Sequence, residues 1–150
     1  MYYYNYQEFR DDTLALAQQC KPFQPDVILG IARGGLMLAQ ALAYALNIRN
    51  LQSIRVESYD DDNKRDDIDL HVDCHLQHCR HVLIVDDIVD SGDTLKAVLS
   101  TLKEHYPDVI FKSASLFYKP TACIQSDFSI KEATQWIEFF WEKDFKELTN

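Results

Sequence analysis

The sequence predicts an α/β protein with a mainly parallel, twisted sheet and helices on both faces. Two short apolar runs, residues 27–32 and 82–85, are rich in β-branched side chains and are typical of buried strands. Each run leads through a short loop into a segment with helical spacing, at residues 36–46 and 95–103. Strands that alternate with helices in this way favour a parallel sheet.

Length and charge limit the architecture and the partners. A chain of 150 residues, 47% hydrophobic, fits one domain over residues 1–150 with a real core. The net charge of −9 argues against a nucleic-acid partner. No apolar run approaches the ~20 residues of a membrane span, and the sequence has no basic signal-peptide start. Its four cysteines are therefore expected to be reduced thiols in a cytoplasmic protein.

The N-terminal part predicts a helix that a proline-rich break ends. Asn5 is expected to cap it, with Glu8 as the capping-box partner. The break falls at residues 21–25, which contain two prolines. One face of this helix is formed by Tyr6, Phe9, Thr13, Leu16, Ala17 and Cys20. The next helix, at residues 36–46, is expected to stop at Asn47.

The outer strands follow from shorter patterns. Residues 51–56 and the alternating run 68–76 predict two antiparallel strands, joined by the charged stretch 58–67 as a mobile loop. Residues 109–117 predict a further strand. From 121 to 134 the chain is expected to be irregular, with a helical turn at 130–134 as an alternative. The aromatic run 135–141 is strand-like, and residues 121–150 are expected to form a small hood.

Polar residues follow the strand at 82–85 in an order typical of a binding site. Asp86 and Asp87 stand where that strand is expected to end, and the loop 90–94 precedes a helix. Ligands of open α/β sheets lie beyond the carboxyl ends of the strands. Hydroxyls and backbone N–H groups at a helix N-terminus suit a phosphate. The acidic pair suits sugar hydroxyls or a hydrated Mg²⁺ instead.

The turn after the strand at 27–32 is a second candidate anion site. Gly34 and Gly35 allow close backbone approach to an anion, and Arg33 adds a fixed positive charge. The run is not a dinucleotide fingerprint, because Ala32 replaces the second glycine. Alone, this turn is equally consistent with a tight connector between strand and helix.

The run V-L-I-V-D-D-I-V-D-S-G-D-T at residues 82–94 resembles the 5-phosphoribosyl-1-pyrophosphate (PRPP) signature of the type I phosphoribosyltransferases. The resemblance implies that fold, with the turn at 32–35 as the pyrophosphate loop. It also implies the following roles: catalysis for Asp86, Asp87 and Asp90; the 5′-phosphate for Asp90, Ser91, Gly92, Asp93 and Thr94; pyrophosphate for Arg33 and Gly34. Because a polyphosphate substrate of an acidic protein needs a cation, we expect Mg²⁺ at Asp86 and Asp87, directly or through water. Asp93 departs from the family, which often has glycine there, so its side chain must point away from the phosphate.

Four segments resemble bacterial xanthine-guanine phosphoribosyltransferases in particular. They are 32–36, 54–63 and the pair formed by 117–120 and 136–138. This likeness implies PRPP and a purine base as substrates, transfer of phosphoribosyl to a 6-oxopurine, and a homo-oligomer, either dimer or tetramer. It further implies these roles: Lys119 donates to the 6-oxo group, Trp136 stacks on the base, the Ile137 backbone meets the 2-position, Asp90 lies near N7, and Ser58 and Tyr59 begin a lid.

Three other interpretations compete with this one. A phosphorelay receiver also has an acidic strand and a lysine like Lys119, but too little chain follows the acids here. A PRPP-binding regulatory protein on the same fold would need a basic surface to bind nucleic acid, and the sequence has no basic stripe. The run 71–81 contains histidines and cysteines that could bind zinc. Its spacing matches no common zinc module, so a polar surface segment is favoured.

Overall fold

A computed structural model describes residues 1–59 and 67–149 of the protein. The strands are β1 (Tyr2–Tyr4), β2 (Val27–Ala32), β3 (Leu51–Tyr59), β4 (Asp67–His71), β5 (His81–Val89), β6 (Ile110–Tyr118), β7 (Phe128–Glu132) and β8 (Ile137–Phe139). The α-helices are α1 (Tyr6–Cys20), α2 (Leu36–Ala45), α3 (Asp93–His105) and α4 (Phe140–Lys143). Short 3₁₀ turns occupy Lys21–Phe23 and Glu147–Thr149.

Six strands form one sheet in the order β4-β3-β2-β5-β6-β7, and β1 and β8 form a separate two-stranded sheet. Every pair in the large sheet is parallel except β3 with β4, which is antiparallel as predicted. β2 and β5 are neighbours, with Gly30 opposite Val85. The two loops that follow these strands therefore meet at the carboxyl edge of the sheet, where α/β proteins bind ligands.

Helices cover both faces of the sheet, as predicted. α1 and α2 bury one set of apolar side chains against the first face: Phe9, Leu16, Ala17, Cys20, Leu38, Ala39, Leu42 and Ala43. α3 packs on the opposite face through Leu95, Val98 and Leu102. None of the helices in the described ranges has the length and apolar character needed to cross a membrane.

The predicted helix boundaries in the first half of the chain are confirmed. The Asn5 side chain accepts a hydrogen bond from the Glu8 N–H at 2.8 Å, and the Glu8 side chain accepts one from the Asn5 N–H at 3.2 Å. These two bonds form the expected capping box. The second helix ends just before Asn47, whose φ of 56° is left-handed and favours helix termination there.

Four strand predictions are wrong. Only Ile137–Phe139 of the strand-like run 135–141 forms a strand, because α4 begins at Phe140. The other three fail for a tertiary reason. β5 does not end at the acidic pair but runs on to Val89, because β6 continues beside it and pairs with it up to Tyr118. Residues 128–132 are neither irregular nor helical, because the same strand β6 offers them its free edge. β4 ends at His71 rather than 76. The residues after it leave the sheet, and Cys74 and Leu76 are buried in the core under α3.

The predicted hood at 121–150 is divided between two layers. β7 belongs to the main sheet, whereas β8 and α4 lie beyond it and β8 pairs with β1. We call β1, β8 and α4 the small layer. It includes the N-terminal strand β1, which no pattern in the sequence indicated. This placement brings Trp136 and Ile137 close to the end of β6.

Candidate functional site

The loop after β2 packs directly against the acidic pair on β5. A Cβ atom on Gly34 would lie 2.6 Å from Asp87 Oδ2, and one on Gly35 would lie 2.5 Å from the Val85 carbonyl oxygen. Only glycine permits this close approach. The Ala32–Arg33 peptide bond is cis, and Arg33 is exposed at the start of the loop. The structure thus brings the predicted turn at 32–35 into contact with the acidic pair.

Asp86 and Asp87 lie within β5, two carboxylates side by side in a poorly solvated position. Asp87 is only 8% exposed, and its N–H donates to Asp86 Oδ1 at 2.8 Å. Among the described residues, neither carboxylate makes an ion pair with a basic side chain. Buried carboxylates without a cationic partner are costly, so this pair is suited to a ligand that supplies positive charge or hydrogen-bond donors.

The pKa values of both carboxyls are raised. Burial raises the pKa of Asp86 well above its usual range, and the charge of Asp87 raises it further. Burial also raises the pKa of Asp87; hydrogen bonds from Asp86 and the Ile88 N–H oppose this, and the Glu142 carboxylate adds to it. The pair therefore holds a proton more readily than an exposed carboxylate would, and a bound cation would lower both pKa values.

The loop between β5 and α3 forms a cleft of about 520 Å³. Gly92 has φ 90°, a backbone conformation that favours glycine. A Cβ there would also lie 3.0 Å from Cys123 Sγ, which leaves little room for a side chain. The Ser91 hydroxyl accepts from the Asp93 N–H at 3.1 Å. The cleft is lined by the acidic pair, by the loop and by the first turn of the helix: Asp86, Asp87, Ile88, Val89, Asp90, Ser91, Gly92, Thr94 and Leu95.

The carboxylate of Asp93 does not line this cleft. It faces the loop at 121–124, where the Cys123 thiol approaches Asp93 Oδ1 at 3.7 Å. The Cys123 N–H also donates to the Ser91 carbonyl at 2.8 Å, which ties that loop to the β5–α3 connection. The Asp93 carboxylate therefore points toward residues 121–124 and away from the cleft.

A second cleft of about 470 Å³ adjoins the first. One side of it is lined by an ion pair between Lys119 Nζ and Asp90 Oδ1 at 2.8 Å. The Lys119 side chain is 40% exposed and that of Asp90 is 60% exposed. The backbone of Lys119 is held firmly, because its N–H donates to the Val89 carbonyl and its own carbonyl accepts from Gln125 Nε2 at 2.8 Å. Lys119 therefore stands at a fixed place at the end of β6.

The small layer supplies the opposite side of this second cleft, through Trp136, Ile137, Phe139 and Glu142. Trp136 is 71% exposed, so its ring is free to stack on a planar ligand, whereas Ile137 and Phe139 are buried. Asp87, Ile88 and Asp90 line both clefts. The two therefore form one groove, with the β5–α3 loop at one end and a partly aromatic cleft at the other.

The remaining predicted residues are placed as follows. Ser58 and Tyr59 do not belong to the predicted loop: their backbones are in β3, opposite Ile68 and Asp67 of β4, because the two strands pair beyond the predicted strand end at 56. The predicted lid between these strands lies mostly outside the described residues. No cluster of three or more metal-ligating side chains occurs within the described ranges, so the zinc alternative at 71–81 finds no support there.

Glu142, Phe139 and Ile88 line the groove without having been predicted. Glu142 directly follows the aromatic run 139–141, but Lys143 and Asp144 come next, so no signal in the sequence distinguished it from the other acids near the C-terminus. Phe139 and Ile88 are ordinary apolar residues, and their sequence context gives no indication of a binding role.

Comparison with known proteins finds the same family at every level. The sequence model of a family described as "Phosphoribosyl transferase domain" matches residues 5–147. The xanthine-guanine phosphoribosyltransferase of Idiomarina loihiensis is 31% identical over 145 residues, which cover 94% of this chain and 86% of that protein.

Two solved structures extend the similarity to the fold. The xanthine-guanine-hypoxanthine phosphoribosyltransferase of Helicobacter pylori has a TM-score of 0.90 at 36% identity, covering 99% of this chain and 97% of that one. A purine phosphoribosyltransferase from Pyrococcus horikoshii has a TM-score of 0.83 at 31% identity, covering 94% and 93%.

Proposed function

This chain belongs to the phosphoribosyltransferase family, and we propose that it transfers the 5-phosphoribosyl group of PRPP to a 6-oxopurine in purine salvage. The acceptor is guanine, xanthine or hypoxanthine, the product is the nucleoside monophosphate, and pyrophosphate leaves. One observation carries the proposal: a single groove joins the β5–α3 loop and the acidic pair to a cleft that is lined by a lysine and an exposed tryptophan. These are the groups that the two substrates require at its two ends.

PRPP occupies the end of the groove at the β5–α3 loop. The 5′-phosphate is bound by the hydroxyls of Ser91 and Thr94 and by N–H groups at the start of α3, which is long enough to have a substantial dipole. The ribose hydroxyls donate to Asp86 and Asp87, and the pyrophosphate lies near the loop after β2. As the bond to pyrophosphate weakens, the anomeric carbon gains positive charge. The fixed carboxylates then stabilise that charge.

Mg²⁺ is the cofactor in this proposal. Asp86 and Asp87 fit it chemically, because they are oxygen ligands with no basic partner among residues 1–59 and 67–149, and the charge of the buried Asp87 repels that of Asp86. Two carboxylates are an incomplete ligand set, and Mg²⁺ typically completes its shell with substrate phosphates and water. When bound, the ion neutralises charge on the departing pyrophosphate.

The base occupies the cleft at the end of β6. Lys119 donates to the purine 6-oxo group, and Asp90, its ion-pair partner in the structure, lies near N7. The ring of Trp136 stacks on the base, and the Ile137 backbone meets its 2-position. Lys119 and Asp90 are thus held in proximity before the base arrives, so little reorganisation is needed when it binds.

One reaction tests the proposal. The purified protein, PRPP and Mg²⁺ are incubated with guanine, xanthine, hypoxanthine, adenine or orotate, and nucleotide formation is followed. We expect nucleoside monophosphates from the 6-oxopurines. No product with any of the three would overturn the proposal, whereas PRPP binding without turnover would support the alternative of a regulatory protein on this fold.

The proposal extends to assembly and location. We propose a homo-oligomer, either dimer or tetramer, and α2 exposes Leu36, Met37 and Tyr44 on its outer surface. Light scattering on the purified protein measures its mass directly, and a monomer would contradict this. We also propose a cytoplasmic location, which suits the free thiols of all four cysteines.

A further inference from the structure

The base cleft is the second cleft described above, to which we assign the purine base. Its two walls belong to different sheets. Lys119 follows β6 of the main sheet, whereas Ile137 and Phe139 lie on β8. Among the described strands, β8 pairs with β1 and not with the main sheet. The ladder between β6 and β7 reaches as far as Ala133, whose N–H donates to the Tyr118 carbonyl at 2.8 Å. Ile137 and Phe139 lie beyond it, so their distance from Lys119 also depends on the contacts of β8.

β1 holds the backbone of the second wall. The two strands pair in parallel, with Tyr2 opposite Ile137 and Tyr4 opposite Phe139. The Tyr2 N–H also donates to the Trp136 carbonyl at 2.9 Å. The segment that meets the base is thus fixed by residues at the other end of the sequence.

Tyr4 links this strand to the first wall. It is fully buried, and its ring makes edge-on contacts with Phe117 at 5.0 Å and Phe139 at 5.7 Å between centroids. Phe117 lies on β6 two residues before Lys119, and Phe139 lines the cleft itself. Close-packed aromatic rings resist displacement, so the Tyr4 ring acts as a spacer between the two walls.

The hydroxyl end of Tyr4 is anchored to the main body of the protein. It donates to Asp12 Oδ2 on α1 at 2.6 Å. Asp12 in turn pairs with Lys131 Nζ on β7 at 3.0 Å, and the same ammonium lies 5.6 Å from the centre of the Tyr4 ring. The spacer is therefore fixed at its far end as well as between the walls.

We propose that β1, through Tyr4, is a positioning element for purine recognition, which sets the separation of Lys119 from Ile137 without touching the base. This inference rests on the proposed function, since it assigns the base to this cleft. The PRPP end of the groove is built from β5, α3 and the loop between them. Displacing β1 is therefore expected to raise the KM for the base and to leave the KM for PRPP nearly unchanged.

The first experiment replaces the ring of Tyr4. Tyr4→Leu keeps the position apolar but removes the spacer, and we expect it to raise KM for hypoxanthine about tenfold and KM for PRPP less than about twofold. Tyr4→Phe keeps the ring, so the KM of this variant for the base should stay within about twofold of wild type. Leu102→Ala is the matched control, because Leu102 is equally buried but lies in the core on the other face of the sheet. It should lower Tm without altering either KM.

A second pair of variants tests the backbone link and does not depend on Tyr4→Leu folding. Tyr2→Pro and Tyr2→Ala both lose the tyrosine side chain, but only proline also loses the N–H that donates to Trp136. We expect the KM for the base to rise more in Tyr2→Pro than in Tyr2→Ala. If both substrates are affected equally by Tyr4→Leu and by Tyr2→Pro, or if Leu102→Ala raises the KM for the base as much, the inference is wrong. A wild-type protein that makes no nucleotide from any base refutes the proposed function first, and this inference with it.

Discussion

Replacing Lys119 by alanine should reduce purine use strongly while leaving the fold almost as stable as before. The ammonium is the donor we assign to the 6-oxo group, and losing a hydrogen bond to a charged group costs about 1.5–3 kcal/mol. In kcat/KM for hypoxanthine or guanine this is a decrease of roughly ten- to hundredfold. KM for PRPP should change little, because Lys119 lines only the base cleft of the two.

The structure limits the effects on stability and on discrimination. The ion pair between Lys119 and Asp90 is 40% and 60% exposed, and such pairs contribute about 0–1 kcal/mol to folding. Since Lys119 is neither buried nor unpaired, adenine should be disfavoured by only about ten- to hundredfold. A discrimination of ~10⁴ or more is expected only where the wrong substrate leaves a fully desolvated polar group without a hydrogen-bond partner. In Lys119→Ala this preference for hypoxanthine over adenine should largely disappear.

Initial rates with hypoxanthine and adenine at saturating PRPP, together with a thermal melt, measure these effects. Lys112→Ala is the control, because Lys112 lies on the same strand β6 but contacts the rings of Phe23 and Phe128 at 5.6 and 5.8 Å, away from the groove. An unchanged preference in Lys119→Ala would refute the role in base recognition. A loss of stability much larger than in the Lys112 variant would mean that the lost activity has a structural cause.

Three further predictions concern the acids and the lid. Asp86→Asn with Asp87→Asn should abolish most Mg²⁺-dependent turnover. It should also raise Tm at neutral pH. A carboxyl whose pKa is raised by folding destabilises the folded state once the pH is above its usual pKa, and asparagine removes that cost. Near-wild-type turnover would contradict the role assigned to the acidic pair. Glu142→Gln removes a charge that raises the pKa of Asp87, so the acidic limb of the kcat/KM profile should move to lower pH; an unmoved limb refutes this coupling. PRPP with Mg²⁺ should slow proteolytic cleavage at residues 58–67, and equal cleavage with and without ligand would reject the lid.

The sequence alone indicated most of the residues that line the groove, for a local reason. The loop at 90–94, the acidic pair and the turn with Gly34 are each continuous in the chain, between a strand and a helix whose patterns are clear. Parallel strands place their carboxyl ends at one edge, so two such turns on neighbouring strands must meet there. Capping at Asn5 and the stop at Asn47 were predictable for the same reason, because both depend on side chains within a few residues.

Only the tertiary structure decided where strands end and what completes the base cleft. β5 continues past its acids, and β7 exists at all, because β6 provides a pairing edge that no local pattern reveals. Glu142 and Phe139 line the cleft, and Tyr4 packs against its wall, because β1 pairs with β8 across nearly the whole length of the chain. Backbone pairing and burial depend on partners that are distant in sequence, and a strand of three residues such as β1 has too few positions to show a period of its own.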